Sequence, residues 1–213
     1  MAVARRARAD WQKQERQREI LLAAEALFIG AGGQLPSVAA VAARAGLAKG
    51  TVYLYFKTKE EVFLALLNWR LGEWLDAITV VLEGSDRPIG VDRLVAGTAD
   101  YLLEHPDTLR LASYGHSVLE QNIEAETVIG YKLAMVERLA ELGTKTEACM
   151  PGLAPGQASR LYLQSYAYAV GLWQMADPPA AVKALLQRDD LAMFRVDFEA
   201  ELKAGLTALW NAA

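Results

Sequence analysis

Lys49-Gly50-Thr51 carries the clearest chemical signal in this sequence. Its small residues let backbone amides come close to a phosphate at the start of a helix, with a lysine beside them, and that geometry suits a duplex groove. The surrounding stretch, Leu35 to Lys59, reads as a small DNA-reading unit.

Other reactive arrangements fail on context. Tyr55 and Lys59 have the Tyr-x-x-x-Lys spacing with which some dehydrogenases lower a tyrosine pKa. Such enzymes need a glycine-rich loop after a strand, whereas Gly30-Ala31-Gly32-Gly33 follows a helical pattern and has the wrong spacing. Lys49-Gly50-Thr51 lacks the upstream glycine of a nucleotide-binding phosphate loop. His105 and His116 stand apart and Cys149 is the single cysteine, so no metal site is indicated. Ser113 or Ser117 with His116 has no spacing that would orient a hydrolase. The expectation is no enzyme, no metal and no cofactor.

The elements that must position Lys49 can be read from their punctuation. Ser37 can cap a helix start, an alanine-rich run follows, and Gly46 sits where a chain leaves a helix in the left-handed region. Thr51 to Phe56 is β-branched and aromatic, which propensity alone assigns to a strand. Val52 and Phe56 lie four apart, however, and anchor a short helix on one face. Thr58-Lys59-Glu60-Glu61 then fits a capping box, with Thr58 bonding the third amide and Glu61 reaching back. Upstream, Ile20, Ala24, Leu27, Phe28 and Ala31 form the inward stripe of a first helix that Gly32-Gly33 stops.

Charge divides the chain in the same way. Residues 1–59 hold ten basic and four acidic side chains, and residues 60–213 hold twelve and twenty-two, so the net charge of −4 conceals a basic head on an acidic body. Such polarity steers one end toward a polyanion. Apolar residues make up 53% of the chain, enough for a buried core. The basic residues Arg5, Arg6 and Arg8 precede Asp10-Trp11-Gln12, not an apolar segment, so these residues are not expected to act as a secretory signal. Leu161 to Ala176 is too short and too polar to span a bilayer. With a lone cysteine, a cytoplasmic location is expected.

Residues 17–67 resemble the N-terminal domain of TetR-family transcriptional regulators. The resemblance rests on Val-Ala-x-x-Ala-Gly-Leu at 41–47 and on Lys-Gly-Thr-Val-Tyr-x-Tyr-Phe-x-x-Lys-Glu-Glu-Val-Phe at 49–63. Gln34 departs from the pattern, since many relatives carry Thr there. The resemblance implies an all-α fold, in which a three-helix helix-turn-helix domain is joined by a long fourth helix to a larger helical domain for ligand binding and dimerisation. The expected divisions are a basic arm at 1–15, the DNA-binding domain at 16–67 and the body at 68–213. By the same resemblance Lys49, Gly50 and Thr51 approach bases and phosphates in the major groove of a double-stranded operator. Tyr53 and Tyr55 offer hydroxyls to phosphates, Lys59, Ser37 and Arg44 contact the backbone, and Leu54 joins Thr51 in reading bases. Taken singly, Tyr53 and Tyr55 also fit partly buried packing, and Lys57 and Lys59 fit solvated positions. Arg5, Arg6 and Arg8 fit either a disordered arm in the minor groove or a solvated tail.

The remaining chain reads as helices between breakers: 59–83, 91–104, 106–114 or somewhat beyond, and 123–148 with Gly143 as an interruption. Met150 to Gly156 and Asp177-Pro178-Pro179 are loops that bracket a helix at 157–176. A final helix at 189–210 carries Leu191, Phe194, Phe198, Leu202, Leu206 and Leu209. The resemblance implies a homodimer through 157–176 and 189–210, for which Ala158, Ser165, Ala169 and Gly171 allow close approach; burial within one chain is the alternative. It also implies a small organic effector of unknown identity. Aromatic and polar residues able to meet it are Trp69, Tyr101, Tyr114, His116, Asn122, Tyr131, Tyr166, Trp173 and Gln174, each of which also fits the core. A helical small-molecule-binding or protein-interaction module without specific DNA binding is the competing class.

Overall fold

The computed structural model describes residues 2–85 and 87–213, the side chains of residues 2–10, 116 and 117 excepted. Among the described residues every regular element is helical, as expected. The chain divides into two units. The first contains residues up to Trp69 together with Tyr114–Ile129, and the second contains Arg70–Ser113 and Gly130–Ala213.

Helices α1 (Ala2–Gly30), α2 (Val38–Arg44) and α3 (Lys49–Tyr53) and the start of α4 (Lys59–Glu83) build the first unit. The backbone of residues 2–10 is continuous with α1; the side chains of Arg5, Arg6 and Arg8 lie outside the described residues. Ile20, Ala24 and Phe28 are buried, and Phe28 meets Phe63 with ring centroids 6.1 Å apart. Leu27 is half-buried and Ala31 exposed, because the helix has already ended when the stripe reaches Ala31. Gly33 N–H donates to the Phe28 carbonyl at 2.9 Å and Gly32 N–H to that of Ile29 at 3.1 Å, the paired bonds of a Schellman ending.

The second unit packs α5 (Val91–Glu104), α6 (Pro106–Ala112), α8 (Gln157–Ala176) and α10 (Phe198–Asn211) with the rest of α4 and of α7 (Ala125–Cys149). The bounds of α4, α5 and α8 coincide with those expected. A π-helical turn at Gly115–Leu119 follows α6. Gly143 does not interrupt α7. A Cβ there would lie 2.2 Å from Ser159 Oγ, so the glycine serves the close approach of α8.

The final helix is shorter than its periodicity implies. Asp189–Phe194 forms a 3-10 turn, the chain then extends, and Asp197 caps α10 by accepting from Ala200 N–H at 3.2 Å. Phe194 is consequently exposed and Leu191 half-buried, while Leu202, Leu206 and Trp210 enter the core. A short helix, α9 (Ala180–Leu185), precedes that turn. Ala158, Ser165 and Ala169 are buried within this chain's own core, leaving Gly171 as the outward member of the expected close-approach set.

Candidate nucleic-acid interface

Two backbone devices place α3. Ser37 Oγ accepts from Ala40 N–H at 3.2 Å and starts α2. At the other end Gly46 has φ +68°, a conformation that costs a residue with a Cβ about 1–2 kcal/mol. Leu47 N–H donates to the Ala42 carbonyl at 2.9 Å and Gly46 N–H to that of Ala43 at 3.2 Å. This second Schellman ending fixes the turn between α2 and α3.

Helix α3 has one buried residue, Val52, with Phe56 buried just beyond it. Lys49, Gly50, Tyr53 and Leu54 are exposed, and Leu54 is 81% accessible. Lys49 and Tyr53 lie one turn apart, with the ammonium 5.7 Å from the ring centroid. Ala48 provides no side-chain cap, and first-turn amides have no acceptor within their own helix, so those of Lys49 and Gly50 are available to an anion. Thr51 and Tyr55 are half-buried. Arg44 is exposed at the end of α2, and Ser37 is exposed while committed to capping. Lys59 opens α4 at 3.9 Å from Glu60. All nine expected DNA-contacting residues therefore belong to the first unit.

The capping box before α4 is displaced by one residue. Glu61 N–H donates to Thr58 Oγ1 at 3.0 Å, but Glu61 Oε2 accepts from the amide of Lys57 at 2.6 Å, not from that of Thr58. The Lys57 ammonium is 2.7 Å from Glu124 Oε2. Its pKa is raised by this hydrogen bond and by the charge of Glu124, with Glu61 and Glu126 adding to it. Residues this far apart in sequence give no local signal of pairing.

The expected ligand residues are divided between the units. In the first, Trp69 lies beneath the Arg18 guanidinium at 5.7 Å, Tyr114 meets Phe28 edge-on at 6.4 Å, and Asn122 is exposed. His116 has its side chain outside the described residues. In the second, Tyr101 donates toward the Arg70 carbonyl and Glu73 Oε2, each at 3.2 Å, and burial with the charge of Glu73 pushes its pKa up to about 12. Tyr131 and Tyr166 are half-buried, Trp173 packs edge-on against Phe198 at 5.1 Å, and Gln174 is exposed. A cavity of about 460 Å³ lies elsewhere in this unit, lined by Gln157, Arg160, Leu161, Gln164 and Leu209 among others. None of the expected ligand residues lines it.

Comparison with known proteins finds a family match for each of two stretches of the chain. Residues 20–66 match the family described as bacterial regulatory proteins, tetR family, and residues 68–211 match a tetracyclin repressor-like C-terminal domain. The chain is 34% identical over 65 residues to the fatty acid metabolism regulator protein of Bacillus subtilis, covering 30% of this chain and 34% of that protein. It is 32% identical over 114 residues to an HTH-type transcriptional repressor of Streptomyces coelicolor, covering 51% and 56%. It thus spans between about a third and just over half the length of these two relatives. The solved structure of the fatty acid degradation regulator FadR from Bacillus halodurans superposes with a TM-score of 0.56 at 19% identity, over 91% of this chain and 94% of that one, a likeness of fold.

Proposed function

The chain belongs to the TetR family of bacterial regulatory proteins, and from that premise we propose that it is a DNA-binding transcriptional regulator, a repressor, that binds a near-palindromic operator as a homodimer and is released by a small organic molecule. The observation that carries this reading is α3, a helix held by Val52 alone whose other side presents Lys49, Gly50, Tyr53 and Leu54. Exposed side chains that share one face are free to bind a partner. Lys49, the first-turn amides and the tyrosine hydroxyls position the duplex through phosphates, and Thr51 and Leu54 meet base edges.

Two features support the dimer. The outward side of α8 carries Leu163, Ala167, Gly171 and Met175, and that of α10 carries Ala200, Ala204 and Ala208, all exposed in the single chain. A twofold pairing of these faces presents two α3 helices to two half-sites. The effector acts by binding best to a dimer whose heads do not match the half-site spacing, which shifts the population away from the operator. The unbroken run of α4 from Lys59 to Glu83 is the lever in this scheme. Among the described residues no helix is long and apolar enough to cross a membrane, and the cytoplasm is the proposed location.

The test is unbiased selection of duplexes by the purified protein, followed by footprinting. The reading requires an enriched inverted repeat with half-sites a helical turn or more apart, occupied by two protomers. A selected pool without a common sequence, or a single half-site occupied by one protomer, contradicts it. Acyl compounds are the first effectors to screen on the enriched operator, because two similar proteins are named for fatty acid metabolism or degradation.

A further inference from the structure

The turn between α3 and α4 holds a charge pairing that the fold does not need. Lys57 is exposed, four residues beyond Tyr53 and two before Lys59, and so lies between side chains for which phosphate contacts are proposed. Its ammonium is 2.7 Å from Glu124 Oε2, although the two residues are 67 apart in sequence. The pairs Arg16–Glu19 and Lys59–Glu60 of the same unit join near neighbours instead. Both partners are held without the pairing. Phe56 is buried, and the Lys57 amide donates to Glu61. The stretch that carries Glu124, residues 114–129, is anchored in the first unit by the fully buried Leu119 and by Tyr114 against Phe28. The paired side chains are 65% and 60% exposed, and an ion pair so placed adds little to stability.

The pair does change the charge that a duplex meets. A carboxylate oxygen at this distance makes the charge-assisted hydrogen bond that a phosphate oxygen would make. A phosphate approaching Lys57 therefore meets an ammonium already bonded to an anion, with Glu61 and Glu126 adding negative charge around the same group. We propose that Glu124 is an internal competitor of the operator: it holds Lys57 where a backbone phosphate would, and Lys57 becomes a DNA contact when the pair opens. The proposal rests on the DNA-binding reading and adds to it a contact with its own restraint. That restraint sits in a stretch whose ends continue into the second unit at Ser113 and Gly130. A displacement of residues 114–129 then alters the charge presented beside α3 with no change in α3 itself.

The test is a cycle of full-length wild type, Glu124→Gln, Lys57→Gln and the double variant, titrated in rising salt onto a duplex recovered by selection with the wild type. Glu126→Gln is the control, since it removes the same charge without removing the hydrogen bond. The proposal requires Glu124→Gln to tighten binding between about twofold and fivefold and to steepen the dependence on log salt by about 0.9, the equivalent of one added phosphate contact. It requires both gains to vanish when Lys57 is replaced as well, and Glu126→Gln to fall short of them. The unfolding temperature is expected to stay at the wild-type value throughout; a drop on breaking the pair makes it a structural link and overturns the proposal. A Glu124→Gln protein that binds as the wild type does, a gain that survives replacement of Lys57, or a gain that Glu126→Gln matches overturns the competitor and leaves DNA binding standing. Failure of the wild type and every variant to bind any duplex overturns both.

Discussion

The two units treat polar chemistry in opposite ways. In the first, the distinctive side chains face outward: Val52 alone is buried in α3, while Lys49, Tyr53 and Leu54 are exposed. In the second, the polar groups turn inward and find one another. The Thr146 and Tyr162 hydroxyls lie 2.8 Å apart, Trp210 donates to Ser165 Oγ at 3.2 Å, and Trp74 donates to the Thr98 carbonyl at 2.9 Å. Among the described residues no buried side-chain nitrogen or oxygen lacks a partner. The contrast shows that surface substitutions in the first unit can separate binding from folding, whereas in the second unit most polar substitutions alter packing first.

The comparison can be broken most forcefully through the one part of the first unit that behaves like the second, its core. Phe28→Ala is expected to cost about 3–5 kcal/mol of stability and to abolish DNA binding with it, checked by chemical denaturation alongside a binding titration. Next comes the exposed face itself. Lys49→Ala with Tyr53→Ala should weaken operator binding by about 1–3 kcal/mol and flatten its salt dependence, while stability changes by no more than about 0.5 kcal/mol. Gly46→Ala sharpens the role of the turn between them: a Cβ at φ +68° should lower the stability of the first unit by about 1–2 kcal/mol, a loss that thermal unfolding resolves. The smallest effect belongs to the carboxylate opposite Lys57. Glu124→Gln should tighten DNA binding by up to about fivefold, because an exposed ion pair is weak, and should steepen the dependence on log salt by about 0.9 as Lys57 reaches a phosphate.

Legibility followed the same division. Ser37, Gly46 and the Thr58 box are short-range punctuation whose physics lies within a few residues, so the turn and the exposed face of α3 were readable in the sequence. The bounds of α4 and α8 were equally readable because Lys59 and Gln157 directly follow such signals. The break before α10 was not. Leu191, Phe194 and Phe198 continue a helical spacing across it, and the interruption is set by the Asp197 cap and the packing of Leu202, Leu206 and Trp210. Gly143 misled for a related reason, since a glycine that ends a helix and one that admits a neighbouring helix look alike until Ser159 is seen beside it. The pairing of Lys57 with Glu124 depends on where the chain returns, which no local pattern encodes.

The most direct measurement is a titration of wild type and Lys49→Ala onto the DNA immediately upstream of the protein's own gene, in rising salt and with excess nonspecific competitor. The account predicts saturable wild-type binding that survives the competitor and a Lys49→Ala protein that folds normally, binds more weakly and has a shallower salt slope. Binding of both proteins that the competitor erases equally, there and on duplexes recovered by selection, would contradict the claim that α3 reads a sequence and would leave only a basic surface.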